Sequence, residues 1–286
     1  MPDEEIQIRE MTVDDLPAGS ELCRAARWNQ LDRDWRQFLT LSPRGCRVAM
    51  RGDRVIGTVT TIDYEDRFRW VGMVLVDPRE RRRGIGTRLL REAIEMPRGQ
   101  AAIRLDATPA GREVYLKLGF VDEYGLSRME ARVSERIAGE EVGNARRMTE
   151  ADLSAICEAD ATVFGADRRA MLRWMWEGAP EFAWVMPGER GVAGYCFGRR
   201  GFNFDHLGPI IAADARMARR LATACLRERV GAPFILDAFR HDQGWLQWLA
   251  EMAFREQRPF IRMFLGEHRH PGQPERQFAM LGPEFG

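Results

Sequence analysis

WVGMVLVDPRERRRGIGTRLLREAIE, residues 70–95, is the stretch on which the reading of this chain turns. Trp70 to Val76 is an apolar run carrying Val71, Val74 and Val76, and it reads as a buried strand. Asp77-Pro78 stops it, because Pro78 has no N–H to give to a sheet. A polar turn follows, then Gly84-Ile85-Gly86. From Thr87 the apolar residues fall at Leu89, Leu90, Ala93 and Ile94, a helical spacing that Pro97 and Gly99 end. The unit is strand, glycine loop, helix. It suits a bound pyrophosphate: the first turn of a helix has unpartnered N–H groups and the positive end of the helix dipole. Gly84 and Gly86 keep side chains away from those amides, and Arg79, Arg81, Arg82 and Arg83 add positive charge beside them.

A pair of glycines alone equally describes a plain strand–helix connection with a solvated basic turn. Two common nucleotide-binding patterns do not fit either, since the stretch has neither the GxGxxG of a dinucleotide fold nor the GKS/T of a P-loop. What it resembles is the acetyl-CoA-binding motif of the GCN5-related N-acetyltransferases, the GNAT superfamily: Gln/Arg-x-x-Gly-x-Gly/Ala after a strand and before a helix. Here it stands as Arg81-Arg82-Arg83-Gly84-Ile85-Gly86. A second motif of that family, Tyr-x-x-x-Gly-Phe, follows as Tyr115-Leu116-Lys117-Leu118-Gly119-Phe120.

The chain has 286 residues, which favours two domains, and 45% apolar residues, enough for packed cores. Its 43 basic and 43 acidic residues balance, so no global charge points to nucleic acid or an anionic membrane as a partner. No apolar run reaches the length of a membrane span, and the start, MPDEEIQIRE, is too acidic for a signal peptide. The five cysteines are odd in number and contain no CxxC, and the four histidines show no ligand spacing, so no disulfide framework and no metal are expected. The expectation is a cytoplasmic protein, monomer or homodimer.

Before the central unit, residues 6–9 alternate as a short strand, and 12–15 offer a helix N-cap. Residues 15–27 and 32–41 read as helices, then 46–50 and 55–61 as a hairpin turning at Arg51-Gly52-Asp53. After the unit, a strand is expected from Ala101 to Leu105, a short helix over 112–118 stopped by Gly119, and a strand from Phe120 to about Val133. Then the chain starts again. Arg9-Glu10-Met11-Thr12-Val13-Asp14-Asp15-Leu16 has a near copy in Arg146-Arg147-Met148-Thr149-Glu150-Ala151-Asp152-Leu153, and Leu105-Asp106-Ala107 recurs as Leu236-Asp237-Ala238. Met11 and Met148 stand 137 apart, Asp106 and Asp237 131, and Phe120 and Phe254 134. Landmarks in one order at nearly one offset argue for duplication, with a boundary near 135–145. The second copy lacks the glycine loop: Leu207 to Arg219 has nothing matching Gly84-x-Gly86, and Asp214 would repel a phosphate, so no CoA is expected there.

The layout is similar to bacterial tandem GNAT proteins with a catalytic first domain and a degenerate, YitH-type second domain. The fold class that follows is α/β (α+β), two tandem GNAT-like domains over 1–138 and 145–286. Each would be a mixed, mostly antiparallel twisted sheet flanked by helices. The resemblance implies transfer of an acetyl group from acetyl-CoA to an amine in a ternary complex. It assigns the pyrophosphate to the segment from Arg81 through Arg82, Arg83, Gly84, Ile85 and Gly86 to Thr87, and the pantetheine arm to the backbone of Val74 and Val76. Tyr115 is the expected general acid, against the plainer reading of a packing aromatic. The helix pair at 15–41 implies one acceptor wall from Trp28, Asn29 and Trp35, although Trp35 and Phe38 equally suit a core. Residues 202–206 would supply a second wall.

The strand acid that many family members use as a base is missing from 70–76, and Asp63, Glu65, Asp66 and Asp106 are the alternatives. Asp106 recurs in the inactive half and reads as structural. A small-molecule amine is the expected acceptor; a protein or peptide N-acetyltransferase and a non-catalytic acyl-CoA-binding regulator are the competing readings.

Overall fold

The computed structural model describes residues 5–97, 99, 102–189 and 191–286. The first half runs β1 (Ile6–Glu10), α1 (Leu16–Ala25), α2 (Asp32–Leu41), β2 (Arg47–Arg51), β3 (Arg54–Tyr64), β4 (Phe68–Val76), α3 (Ile85–Glu95), β5 (Ala102–Ala107), α4 (Pro109–Leu116) and β6 (Val121–Arg132). The second half repeats that order. It runs β7 (Arg146–Arg147), α5 (Leu153–Phe164), α6 (Arg169–Gly178), β8 (Trp184–Gly188), β9 (Gly191–Arg199), β10 (Asp205–Ile211), α7 (Ala215–Arg227), β11 (Pro233–Phe239), α8 (Gln243–Glu251) and β12 (Arg255–Gly266). One further strand, β13 (Gln277–Ala279), has no counterpart among the described residues of the first half. The expected elements are present, most with ends moved by one to three residues; of the strand expected from Ala101, that residue itself lies outside those described.

The copied opening segment is built identically twice. Asp15 accepts from the Thr12 backbone N–H at 2.8 Å and is gripped by both terminal nitrogens of Arg9 at 2.7 Å. Asp152 accepts from Thr149 N–H at 2.8 Å and is held by Arg146 at 2.6 and 2.8 Å. In each copy a carboxylate caps the helix start and an arginine from the preceding strand fixes the carboxylate.

The halves do not form two separate sheets. Among the described residues thirteen strands lie in one sheet, ordered β1-β2-β3-β4-β5-β12-β6-β11-β13-β10-β9-β8-β7. The last strand of each half has crossed over: β12 pairs with β5 of the first half, and β6 pairs with β11 of the second. Between them β6 and β12 run antiparallel with Tyr124 opposite Arg262, Leu126 opposite Phe260 and Arg128 opposite Arg258. An offset of 134 carries 124 to 258, 126 to 260 and 128 to 262. A pseudo-twofold axis therefore passes between Leu126 and Phe260.

That exchange explains the repeated aspartates. Asp106 on β5 receives Arg262 of β12 at 2.8 and 2.9 Å. Asp237 on β11 receives Arg128 of β6 at 2.7 and 2.8 Å. Both are buried, bidentate ion pairs between a strand and the one that crossed over to it. Asp106 is thus structural, as its recurrence indicated, but it ties strands together; the turn before α4 is capped by Thr108, whose hydroxyl accepts from Gly111 N–H at 3.2 Å.

The core is shared as well. Leu89, Leu90 and Ala93 of α3 pack on Ile56, Val71 and Ile103 of the sheet. On the opposite side one apolar cluster joins Trp35 and Phe38 of α2 with Phe164 of α5, Met171 of α6 and Phe285 near the end of the chain.

Candidate active site

β4 and β5 start side by side and part. They pair in parallel only at Phe68–Ala102, Arg69–Ile103 and Trp70–Arg104, after which β5 continues along β12. The parting has a local cause on β4. Its register against β3 shifts between Thr58 and Thr60, and Met73 takes a φ of 50°, which a non-glycine residue adopts only where its surroundings compel it. The Met73 side chain is buried and its carbonyl accepts from the Thr58 hydroxyl at 2.8 Å, which hold the bulge in place. A cavity of about 630 Å³ occupies the resulting gap.

One end of the cavity is the glycine loop. Asp77 and Glu80 are buried there and anchored by arginines: Arg54 reaches both, at 3.0 and 2.7 Å, Arg79 lies 2.9 Å from Asp77, and Arg51 lies 3.1 Å from Glu80. On this base Arg82 (φ 62°) and Gly84 (φ 77°) both turn left-handed just before α3. Successive N–H groups in such a turn point one way and make an anion nest. Among the described residues no side chain caps the start of α3, a Cβ on Gly84 would meet nothing within 4 Å, and one on Gly86 would meet only Val76 at 3.5 Å. The amides face open space of the kind a pyrophosphate fills.

Tyr115 lines the gap from α4. Gly111, one turn earlier, lets the ring lie close, since a Cβ there would stand 3.1 Å from it. Burial pushes the Tyr115 phenol up to about 12, and its hydroxyl makes no hydrogen bond among the described residues.

The other end is closed by the second half. Residues 282–286 pass beneath β4: Trp70 Nε1 donates to the Pro283 carbonyl at 3.0 Å, the Tyr64 hydroxyl donates to that of Phe285 at 2.7 Å, and Phe285 stacks on Phe38 at 4.5 Å. Gly72 is required for this passage, because a Cβ there would stand 2.5 Å from the Glu284 carbonyl oxygen. Glu284 reaches the cavity, paired with Arg199, which also holds Asp34 of α2 at 2.8 Å. Burial, the largest single influence, would push the Glu284 carboxyl up, but Arg199 together with His206, Gln30 and Arg128 outweighs it and holds the group below the usual carboxylate range. Arg258 and Phe260 of β12 and Arg128 of β6 complete this end.

The equivalent gap in the second half is filled. β10 and β11 also pair briefly, at Asp205–Phe234 and His206–Ile235, and then part. β13 lies between them, with Ala279 opposite both Ile210 and Ala238, and Met280 N–H donates to the Asp237 carbonyl at 3.1 Å. The start of α7 is capped by Asp214, which accepts from Met217 N–H at 2.8 Å.

Two sequence profiles match the chain: the Acetyltransferase (GNAT) family over residues 7–120 and the Acetyltransferase (GNAT) domain over 156–279. The chain belongs to the GNAT superfamily, with two GNAT domains in tandem. It is 25% identical over 268 residues to the holothin acyltransferase of a Pseudoalteromonas species, covering 93% of this chain and 90% of that one. It is 24% identical over 221 residues to the uncharacterized N-acetyltransferase YitH of Bacillus subtilis, covering 77% of each. In fold it matches the crystal structure of a provisionally assigned acetyltransferase from Pyrococcus horikoshii, with a TM-score of 0.81 at 23% identity over 98% and 96% of the two chains. As a GNAT protein the chain is an acyltransferase.

Within this GNAT fold, Val74, Val76, Arg81, Arg82, Gly84, Ile85, Gly86, Thr87, Tyr115 and Trp28 all border the one cavity. Arg83 stands outside it, 3.7 Å from Glu80. Asn29 and Trp35 do not border the cavity. Asn29 is buried and stitches the halves together, accepting from the N–H groups of Asn203 and Phe204 and donating to the Phe204 carbonyl. Trp35 is fully buried against Gly19 and Phe38. The 202–206 wall is displaced too: Phe202 is exposed under Arg24, and His206 is buried beside Arg199. Asp63 is taken up by Arg69 at 2.6 Å, and Glu65 lies 3.3 Å from Arg67. Glu284, Arg258 and Arg128 were missed, because no motif marks them: the crossing of β12 brings Arg258 to the first half's gap, and the passage of 282–286 beneath β4 brings Glu284. Among the described residues no cluster of metal-ligating side chains occurs, and no helix is long and apolar enough to cross a membrane.

Proposed function

We propose that the chain transfers an acetyl group from acetyl-CoA directly to a primary amine of a small molecule, using the first half's gap alone. One observation carries this reading: a single cavity runs from an uncapped glycine nest, along unpaired strand edge on β4, to Tyr115. The nest of Arg82 to Thr87 holds the pyrophosphate, with Arg81 and Arg82 beside it. The free edge at Val74 and Val76 pairs with the pantetheine amides as an added strand would. Acetyl-CoA supplies the activated acyl group and a thiolate leaving group. Tyr115, kept protonated by burial, donates a proton to that sulfur. The acceptor enters from the end lined by Trp28, Glu284 and Arg258, on the far side of Tyr115 from the nest. In the second half β13 occupies the equivalent gap, so one cofactor binds per chain.

Calorimetric titration with acetyl-CoA tests the assignment. One site per chain, lost in Gly86→Asp, is expected; two sites, or one that survives the substitution, would overturn it. Direct transfer predicts intersecting initial-velocity lines when acetyl-CoA and amine are varied together, and parallel lines would exclude it.

A further inference from the structure

The acceptor end of the cavity holds an unanswered charge. Arg258 lies directly across from Arg128, on the neighbouring strand and the same face. Like charges in that arrangement repel. Arg128 is neutralised by Asp237. Arg258 makes no ion pair or side-chain hydrogen bond among the described residues; its Nε is buried without a partner, and its guanidinium rests over the Phe260 ring at 5.1 Å. Burial and the Arg128 charge pull its pKa down to about 10. Of the nearby carboxylates, Asp237 is engaged by Arg128, and Glu284 is held by Arg199 through Oε1 alone, its Oε2 being buried without a hydrogen-bond partner among the described residues.

The duplication provides an internal control. The residue equivalent to Arg258 is Tyr124, which faces Arg262 as Arg258 faces Arg128. There the pair is satisfied: Arg262 donates to the Tyr124 hydroxyl at 3.0 Å, and Tyr124 packs with Phe239 and Met280 where β13 has filled the gap. The closed half carries a neutral, bonded phenol at this position. The open half carries a bare guanidinium facing the cavity.

This charge is not placed for the cofactor's phosphates. The glycine loop follows Val76, whereas Glu284 crosses β4 at Gly72, four residues earlier and about 13 Å away at ~3.3 Å per residue. The charges that act on Arg258 are those of Arg128, Asp237 and Glu284, and Glu284 is the residue that crosses β4 at Gly72.

We propose that Arg258 binds a carboxylate on the acceptor, so that the substrate is an amine bearing its own carboxylate, of amino-acid type. This rests on the reading of the cavity as an acetyl-transfer site. A guanidinium presents two parallel N–H groups to a carboxylate. Glu284 then lies near the substrate's ammonium, and the zwitterion is matched at both ends. A phosphate dianion fits less well, since Glu284 and Asp237 would repel the second charge.

The test uses matched sets: free amino acids, their decarboxylated amines and their primary amides, assayed by thiol release. The acids should be the better acceptors by tenfold or more. Arg258→Gln should raise their KM about 30-fold while leaving KM for acetyl-CoA unchanged, and Arg258→Lys should restore part of the loss. A second readout needs no turnover. N-acetyl amino acids and their amides are titrated calorimetrically into the CoA-loaded protein, where the acids should bind at least tenfold tighter in the parent and equally in Arg258→Gln. Arg258→Tyr, which copies the closed half, should keep the melting temperature and lose the preference.

Equal use or equal binding of acids and amides, or no binding of any acid, overturns the proposal. If acids bind with this preference but no amine is acetylated, the carboxylate site stands and the acetyl-transfer reading fails.

Discussion

At the scale of residues, Tyr115 and the two buried aspartates carry the clearest expectations. A general acid must hold its proton at the working pH, and Tyr115, pushed up to about 12, holds it throughout the neutral range. The rate should therefore rise with pH as the acceptor amine loses its proton, with no falling limb below about pH 11. Tyr115→Phe should lower kcat by roughly 100-fold with little change in KM for acetyl-CoA, as expected for a group that acts in the transition state. Asp106→Asn and Asp237→Asn should each destabilise the fold by about 3 kcal/mol in urea, because each leaves a buried arginine unanswered.

The site was partly legible at this scale. The Gly84-x-Gly86 and Tyr115 motifs are local, and their geometry follows from neighbours in sequence. Trp35 and Asn29 were not separable from a substrate wall by composition, since an aromatic at helical spacing serves a core equally well. Arg258 and Glu284 had no local signal at all.

At the scale of elements, the repeated opening segments make a matched pair of pH-sensitive caps. Arg9 holds the Asp15 carboxyl below its usual range, and Arg146 does the same to Asp152. A carboxyl with a depressed folded value stabilises the fold above its unfolded value near 4, and that contribution is lost as pH falls toward the folded one. The melting temperature should drop between about pH 4 and pH 2, and Arg9→Ala with Arg146→Ala should flatten that drop, as read by thermal melts across pH. Element boundaries were legible where periodicity is strong: the helix read over 32–41 is α2. The bulge at Met73 was not, because no residue type announces a left-handed methionine; packing against β3 imposes it.

At the scale of the whole molecule, duplication was legible and strand exchange was not. Periodicity marks a strand and its buried face, but it does not name the strand beside it, so 1–138 and 145–286 read as two self-contained domains. In the structure neither half closes its own sheet. A fragment ending at 138 would leave β5 and β6 without the partners that hold Asp106 and Arg128. Either fragment alone should be unfolded or aggregated by circular dichroism and gel filtration, and the two co-expressed should associate and recover acetyl-CoA binding. A soluble, cofactor-binding 1–138 fragment would contradict the exchange.

The passage of residues 282–286 beneath β4 also sets an order in time. The glycine loop leaves the ribosome 200 residues before Glu284 does. At about 5–20 residues per second, that interval is on the order of 10–40 s. During translation the glycine-loop end of the cavity is made first, and the nascent chain lacks the end at Gly72 until residues 282–286 emerge.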